Sequence, residues 1–590
     1  MSLRPGHALS SSKTLVSLRQ NPDALALALI AVFLVFRLIL AATLGFSVDE
    51  SYTIANAREL SLSYFDHPPL HYWIAHAFMP ILGEGHALRL PFVALFAGST
   101  WLLYRLTRAL FGGFAGVWAV LALDLSAFFA LSAGSWIVPD GPLIFFILAA
   151  ALTVAKAFFA AGEPPSPWRT WPLAGIWIGL AALSKYHAVL FALSLLLYLV
   201  SMPQRRRVLL HPAPWIGALI AVLIFAPVLI WNAQHNWVSF AYQGRHGFVH
   251  VVEHGTQPSA FHPGNVLIDA AGQAAWLFPW IFVPLVIAVW QALRAGRGRG
   301  RSWYCLCLGL PTIVFFTIIP LWGHQGLPHW PMPGWLMLYP VLGDFLARAS
   351  VQGWPRRWAI GSAALLAALA VAVVAHAATG FGRLAFPWAF RQGDPTLETL
   401  EWTPLARELA ARGCLDRNDL FVVAPYWLDA GRIDQALGGT LPVVAFGDWN
   451  EPKHFDLRYD PRSFLGRDAL IIGIKIGPDI EGRLRPYFAT LKELPPVIFG
   501  RSGMAEIKLR VFLGKTLLTP FPPFYLRDVD AKSAHGERGA EAAAARRVRQ
   551  AKTRPRRIAR DAAKGRMLIR CGRVAMVPPH RRATRARIGA

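Results

Sequence analysis

The sequence is poor in cysteine, in acid and in charge of either sign. Four cysteines in 590 residues, Cys305, Cys307, Cys414 and Cys571, are too few and too scattered for a disulfide framework. The Cys-x-Cys at 305 and 307 sits on an apolar segment with no histidine or second pair nearby, which makes it a poor zinc site. Charged residues are only 16% of the chain against 55% hydrophobic, and that excludes a soluble domain over most of the length. The formal charge of +25 would ordinarily point to nucleic acid, yet residues 531–590 alone hold 18 Lys and Arg against 3 Asp and Glu. Those sixty residues lack periodicity and aromatics, so a disordered basic tail is expected and no nucleic-acid partner.

What the chain has is long apolar runs. Residues 24–46 are long enough to cross a bilayer at about 1.5 Å per residue. The preceding Arg4, Lys13 and Arg19 are followed by no small-residue cleavage site, so this run reads as a retained span after a cytoplasmic segment 1–23. Similar runs lie near 86–104, 109–133, 141–161, 171–183, 187–202, 213–231, 272–293, 303–322, 333–348 and 357–379, giving about 11 transmembrane helices over 24–379. Arg105 and Arg108, Arg169, Arg205 to Arg207, the basic run 294–301, and Arg348, Arg356 and Arg357 all follow even-numbered spans. Lys and Arg gather on the cytoplasmic side, so the N-terminus is expected inside and the other loops outside.

Beyond the spans the texture changes. A helix-like TPLARELAARG precedes short apolar runs at 421–424, 442–446, 469–474 and 506–514, separated by polar turns. A small extramembrane α/β domain over 380–530 is expected. The fold class is therefore an α-helical polytopic membrane protein with a C-terminal α/β domain.

The ionisable residues of interest all fall on the outer face. Asp49 and Glu50 follow the first span, where a carboxylate near hydrocarbon is costly unless solvated, paired or used. The segment 50–65 reads as an amphipathic helix lying on the outer leaflet, stopped by Pro68 and Pro69. Lys185, between two apolar segments, calls for a partner or a function. Asp124, mid-segment and away from the outer loops, calls for a partner inside the bundle. His71, His76, Tyr72 and Trp73 recur at helical spacing and read as packing or interfacial residues. This placement suits group transfer from a lipid-linked donor: a carboxylate serves as general base for an acceptor hydroxyl, and Lys185 and Arg245 are the cations available to a departing phosphate.

The stretches DESYTIANAREL…YFDHPPLHYWI, HALRLPFVALFAGSTWLLYRLTRALFG, PDGPLIFFILAAAL, LSKYHAVL, PVLIWNAQHNWVSFAYQ and HWPMPGWLMLYPVLG together resemble the polyprenyl-phosphate-dependent GT-C glycosyltransferases. These include the protein O-mannosyltransferases and bacterial lipid A and lipopolysaccharide sugar transferases. The resemblance implies catalytic roles for Asp49 and Asp140, and substrate contacts from Glu50, Tyr52, His67, Lys185, Tyr186, His235, Arg245 and His329. It also implies a polyprenyl-phosphate-sugar donor, a lipid or glycan acceptor, inversion at the anomeric carbon, and a periplasmic site on the inner membrane. No cofactor is required by it. Some relatives hold a divalent ion, for which Glu84, His86 and His235 are the residues on offer, at a spacing that is not diagnostic. A flippase of a lipid-linked sugar and a protein O-glycosyltransferase are the alternative readings. The absence of an internal repeat and the one-sided acids argue against the flippase.

Overall fold

A computed structural model describes residues 21–248, 263–321, 326–391, 393–446 and 453–522, with two short strands, Ile569–Arg570 and Arg573–Val574. The rest of the basic tail lies outside the described residues. The chain divides into two compact units, Met1–Thr399 and Leu400–Ala590.

The first unit is a helical bundle. Among the described residues seven helices are long and apolar enough to cross a membrane: Pro22–Thr43, His86–Phe111, Asp140–Phe159, Pro212–Gln234, Pro279–Gly298, Gly300–Leu321 and Trp354–Thr379. Two further pairs qualify if each is one bent span: Gly113–Asp124 with Phe128–Ser135, bent by 87°, and Ala188–Ser201 with Pro203–Leu210, bent by 112°. Nine of the eleven expected segments are thus accounted for. The other two fall short for local reasons. Pro167–Ser184 opens with Pro, Trp and Arg, and 333–348 is divided between Met332–Leu336 and Tyr339–Ala349.

Small residues let the spans approach. A Cβ on Gly175 would lie 2.0 Å from the Gly217 carbonyl oxygen, and one on Gly217 would lie 2.3 Å from that of Trp171. The helices Pro167–Ser184 and Pro212–Gln234 therefore cross backbone to backbone, as membrane helices do where glycines meet. The break after Asp124 has a polar cause. Arg37, on the first span, reaches Asp124 at 2.5 Å, and both are almost fully buried. Two residues on, the Ser126 hydroxyl bonds both the Ala122 carbonyl and the Tyr339 hydroxyl. The expected internal partner of Asp124 is Arg37.

The expected surface helix over 50–65 is corrected. It is shorter, Val48–Ala57, and nine of its ten residues are buried in the protein. Ser47 and Glu50 close a capping box that starts it. Arg58, just past its end, is held by Glu84 at 2.6 Å, so Leu60 and Leu62, which extend the amphipathic pattern in the sequence, belong to a separate exposed loop.

In the second unit five strands, β1 Leu420–Ala424, β2 Val443–Ala445, β3 Asp468–Gly473, β4 Phe488–Phe499 and β5 Ile507–Leu517, form one sheet in the order β2-β1-β3-β5-β4. β1 runs parallel to β2 and β3, and β5 is antiparallel to β3 and β4. The helix Trp427–Leu437 makes the crossover from β1 to β2. β4 is absent from the sequence reading because Pro495 and Pro496 interrupt it. They sit at a register shift on an edge strand, where missing N–H groups are tolerated.

Replacing Arg37 by Ala strands a buried carboxylate and is expected to lower the thermal midpoint in detergent by the equivalent of about 3–5 kcal/mol. The double replacement Arg37→Met with Asp124→Leu is expected to recover most of it, as read by the same melt.

Candidate functional site

The end of the bundle where the first span finishes, the outer end in the expected topology, is built round one ion pair. Arg89 donates from Nε to Glu50 Oε1 and from Nη2 to Oε2, each at 2.7 Å, with both residues essentially inaccessible. The remaining guanidinium hydrogens go to the carbonyls of Ala41, Leu44 and Gly45. Glu50 also accepts from the Ser47 backbone and hydroxyl and from the Ile137 N–H. The pair thereby ties together the end of the first span, the helix Val48–Ala57, the start of the helix after Arg89 and the extended stretch that follows the broken span. Glu50, expected to contact substrate, is engaged by Arg89, Ser47 and Ile137. Its chemistry is to hold Asp49, its exposed neighbour in the first helical turn, in a fixed place.

Asp49 opens onto a cluster of rings and acids. The Tyr52 hydroxyl donates to Asp66 Oδ1 at 2.9 Å. Tyr72 stacks on Tyr64 at 3.8 Å and meets His71 at a tilt, ring centres 3.9 Å apart. Burial first, then the charges of Asp66 and Asp49, push the Tyr72 hydroxyl well above its ordinary pKa, so it stays protonated. The helix Val238–Phe248 is fastened over this loop: Ser239 donates to the Tyr64 carbonyl and Gln243 to that of Asp66. Arg245 lies on that helix, but its side chain is outside the described residues.

Beside this cluster lies a second buried pair. Lys185 Nζ donates to both oxygens of Asp140 at 2.9 Å. Asp140 is the first residue of its helix, where the aligned peptide dipoles favour a carboxylate. Lys185 sits at the break between Pro167–Ser184 and Ala188–Ser201. His67, His71, His187 and His329 all feel the charge of Lys185 or Asp140. Burial, then Lys185, holds the His329 imidazole down to about 4, with Asp140 opposing and His67 adding to the shift. His71 is held well below its usual value, by burial first and then by His67. Tyr186 faces Ser239, Asn232 and Ser63, and burial pushes its hydroxyl up to about 12.

The structure thus brings Tyr52, His67, Asp140, Lys185, Tyr186 and His329 together, with Asp49 joined through Tyr72. It does not bring His235, which is stacked on Trp231 at 4.0 Å and bonded to that residue's carbonyl through Nδ1 at the end of its own helix. The three residues offered for a divalent ion do not converge either. Glu84 is clasped by Arg58, and His86 packs edge-on against Phe46 at 5.1 Å. Among the described residues no group of three or more His, Cys, Asp or Glu is placed to hold a metal ion. Asp66 and His187 lie in the stretches that carry the resemblance but draw no role from it, His71 reads as packing, and Arg89 is passed over in the sequence. Arg89 carried a usable signal, an arginine on the outer side of a span where the charge bias disfavours one. His71 looks like packing from its helical spacing, while the structure sets it against His67 and Tyr72 and within reach of the charge of Lys185.

Known proteins share this fold. The structure matches the crystal structures of ArnT from Cupriavidus metallidurans in the apo state and bound to undecaprenyl phosphate, each at a TM-score of 0.55 and 17% identity. The matches cover 82% and 84% of this chain and 97% and 99% of those chains. Residues 66–231 match the family described as dolichyl-phosphate-mannose-protein mannosyltransferase. In fold and in the matched segment the chain is similar to the GT-C class of membrane glycosyltransferases. Within that class it is 26% identical over 280 residues to the lipid A galacturonosyltransferase RgtD of Rhizobium johnstonii, an alignment that covers 46% of this chain and 55% of that protein. The chain therefore spans about half the length of that curated relative.

Arg89→Ala leaves Glu50 buried without its cation and is expected to cost about 3–5 kcal/mol, read as a loss of monodisperse protein after extraction. Arg89→Lys is expected to rescue little, because a lysine cannot fork onto both oxygens and three carbonyls. His329 is neutral in the folded chain until about pH 4 but titrates near 6.5 once unfolded. Its depressed value therefore removes stability as pH falls through that window. The melting temperature is expected to drop between about pH 6.5 and about pH 4, and His329→Asn is expected to flatten part of that drop.

Proposed function

We propose that the chain is an inverting glycosyltransferase that moves a sugar from a polyprenyl phosphate to a hydroxyl of a lipid, lipopolysaccharide or other glycan acceptor. The site is assigned to the periplasmic face of a bacterial inner membrane, in keeping with the five basic loops on the opposite side. The observation that carries this reading is that an exposed carboxylate, Asp49, and the buried Lys185–Asp140 pair border the same adjoining rings, Tyr72 and His71. Crystallised ArnT holds undecaprenyl phosphate and RgtD is described as acting on lipid A, which supports the donor and acceptor classes.

Asp49 accepts the proton of the acceptor hydroxyl as its oxygen attacks the anomeric carbon. The bond from that carbon to the phosphate oxygen breaks on the far side, its electron pair staying on the phosphate, and the configuration inverts. Lys185 meets the charge that develops there, with Asp140 aligning the ammonium. The lipid tail remains in the bilayer, so the reacting bond is presented at headgroup depth.

Asp49→Asn is expected to lower transfer by about 10²–10⁴-fold while leaving the melting temperature near that of the parent. Reconstituted with a labelled polyprenyl-phosphate sugar, the parent chain is expected to release free polyprenyl phosphate. Donor moved across the bilayer without being consumed would sink the reading in favour of a flippase.

A further inference from the structure

The end of the bundle opposite Lys185 gathers charge of one sign. The helix Ala188–Ser201 starts close after Lys185 and runs for 14 residues, about 21 Å at 1.5 Å per residue. There the chain bends by 112°, and Pro203–Leu210 runs crosswise to the helix it leaves. This stretch holds Arg205, Arg206 and Arg207, while residues 294–301 hold Arg294, Arg297, Arg299 and Arg301, and neither contains an acid. The two stretches are distant in sequence and meet in the fold. The Trp303 indole N–H donates to the Ser201 hydroxyl at 2.9 Å, and a Cβ on Gly300 would lie 3.7 Å from the Met202 methyl carbon.

Two of these arginines are seated on rings at the junction. The Arg205 guanidinium lies 4.3 Å from the Phe158 ring centre and 5.8 Å from that of Phe159, and the Arg297 guanidinium lies 5.8 Å from that of Trp303. The rings connect the two positions, since Phe159 meets Tyr304, the neighbour of Trp303, edge-on at 5.7 Å. A guanidinium held flat on a ring keeps its N–H edge for a further acceptor. Arg205 gives one Nη2 hydrogen to the Phe158 carbonyl at 3.1 Å. Among the described residues no carboxylate pairs with any arginine of the two stretches, whereas Arg108 and Arg348, on the same expected side, are matched by Asp23 and Asp344. The residues bounding the stretches are apolar and exposed: Val200, Leu210, Trp290 and Leu293, with Leu210 exposed by 86%. Cations seated on rings beside exposed apolar side chains suit a ligand that is anionic at one end and hydrocarbon at the other.

We propose that this junction binds an anionic phospholipid of the adjacent leaflet, the inner one in the expected topology, with its phosphate on Arg205 and Arg297 and its chains along Val200 and Leu293. The bias of arginine towards one side of a membrane accounts for the sign of the charge. It does not account for two basic stretches joined through Trp303 and Ser201 with no acid between them, beside arginines that are paired. The lipid supplies the missing counter-charge and fastens Pro203–Leu210 to the start of Gly300–Ile318, bracing the far end of the helix that begins after Lys185. The site stands apart from the transfer chemistry, and its test reads no activity.

The test is lipid titration of the purified, delipidated full chain in a non-ionic detergent at about 0.15 M salt, where attraction over more than about 8 Å is largely screened. Phosphatidylglycerol and diphosphatidylglycerol are compared with phosphatidylcholine, and bound lipid is counted by native mass spectrometry. The expected result is saturable retention of the anionic lipids with a Kd about tenfold or more below that of phosphatidylcholine. Arg205→Gln with Arg297→Gln is expected to weaken that retention about tenfold. Arg356→Gln with Arg357→Gln removes the same charge near the start of Trp354–Thr379, on the same expected side, and is expected to leave retention unchanged. Equal loss in the two double variants would overturn the proposal, because a diffuse field would then be at work. Equal retention of phosphatidylcholine by the parent chain would also overturn it, as would displacement of the lipid by sn-glycerol 3-phosphate, a soluble phosphate, or by an RNA oligonucleotide. The comparison of lipids on the parent chain needs no variant, so a variant that fails to fold does not remove the decision.

Discussion

The outer end of this membrane domain depends on one buried ion pair, Arg89 with Glu50. Taking two ions out of water costs several kcal/mol each, and the attraction between them offsets that only when every remaining donor and acceptor is also satisfied. Here the guanidinium gives its other hydrogens to three carbonyls at the end of the first span, and the carboxylate accepts from Ser47 and from the Ile137 N–H. The pair joins four pieces of chain that no regular hydrogen-bond ladder could join. Asp49 owes its position to it: the residue next in sequence to an immobile Glu50 cannot wander.

The same logic recurs at two more places, with different consequences. Arg37 and Asp124 meet within the bundle, at the break of a helix. Lys185 and Asp140 meet at its outer end, at the break between two helices and the start of a third. The first pair sits among packed aromatic rings, with the Arg37 guanidinium 4.4 Å from the Phe96 ring centre, and serves architecture. The second is surrounded by histidines, which can gain charge. A lysine held by a single carboxylate can share itself with a phosphate, whereas Arg89, enclosed by Glu50 and three carbonyls, cannot.

The second unit follows a different economy. All five residues of β1 and all three of β2 are buried, as expected for parallel strands covered on both faces. The sheet turns antiparallel at β5, whose partner β4 is largely exposed and carries two prolines at its irregularity. Buried charge pairing recurs here too, in Arg458 with Asp434 and Arg501 with Glu506. Its composition serves a soluble core.

Composition and period alone determined that the chain is a helical membrane protein, where most of its spans run, and that a small α/β unit follows them. Hydrophobic length and alternation are local quantities, readable within twenty residues. The motifs also marked Asp49, Asp140, Lys185 and His329 as residues that belong near one another. Which acid is anchored and which is exposed was decided only in three dimensions, because Glu50 and Asp49 are adjacent and chemically alike until Arg89, thirty-nine residues on, chooses between them. The same holds for His187, which meets Phe316 and feels His67 and His329 from distant parts of the chain, and for His235, which its own helix end retains. A pattern in sequence records what a residue is; the electrostatic neighbours that set its charge come from chain segments that only folding brings within a few ångströms.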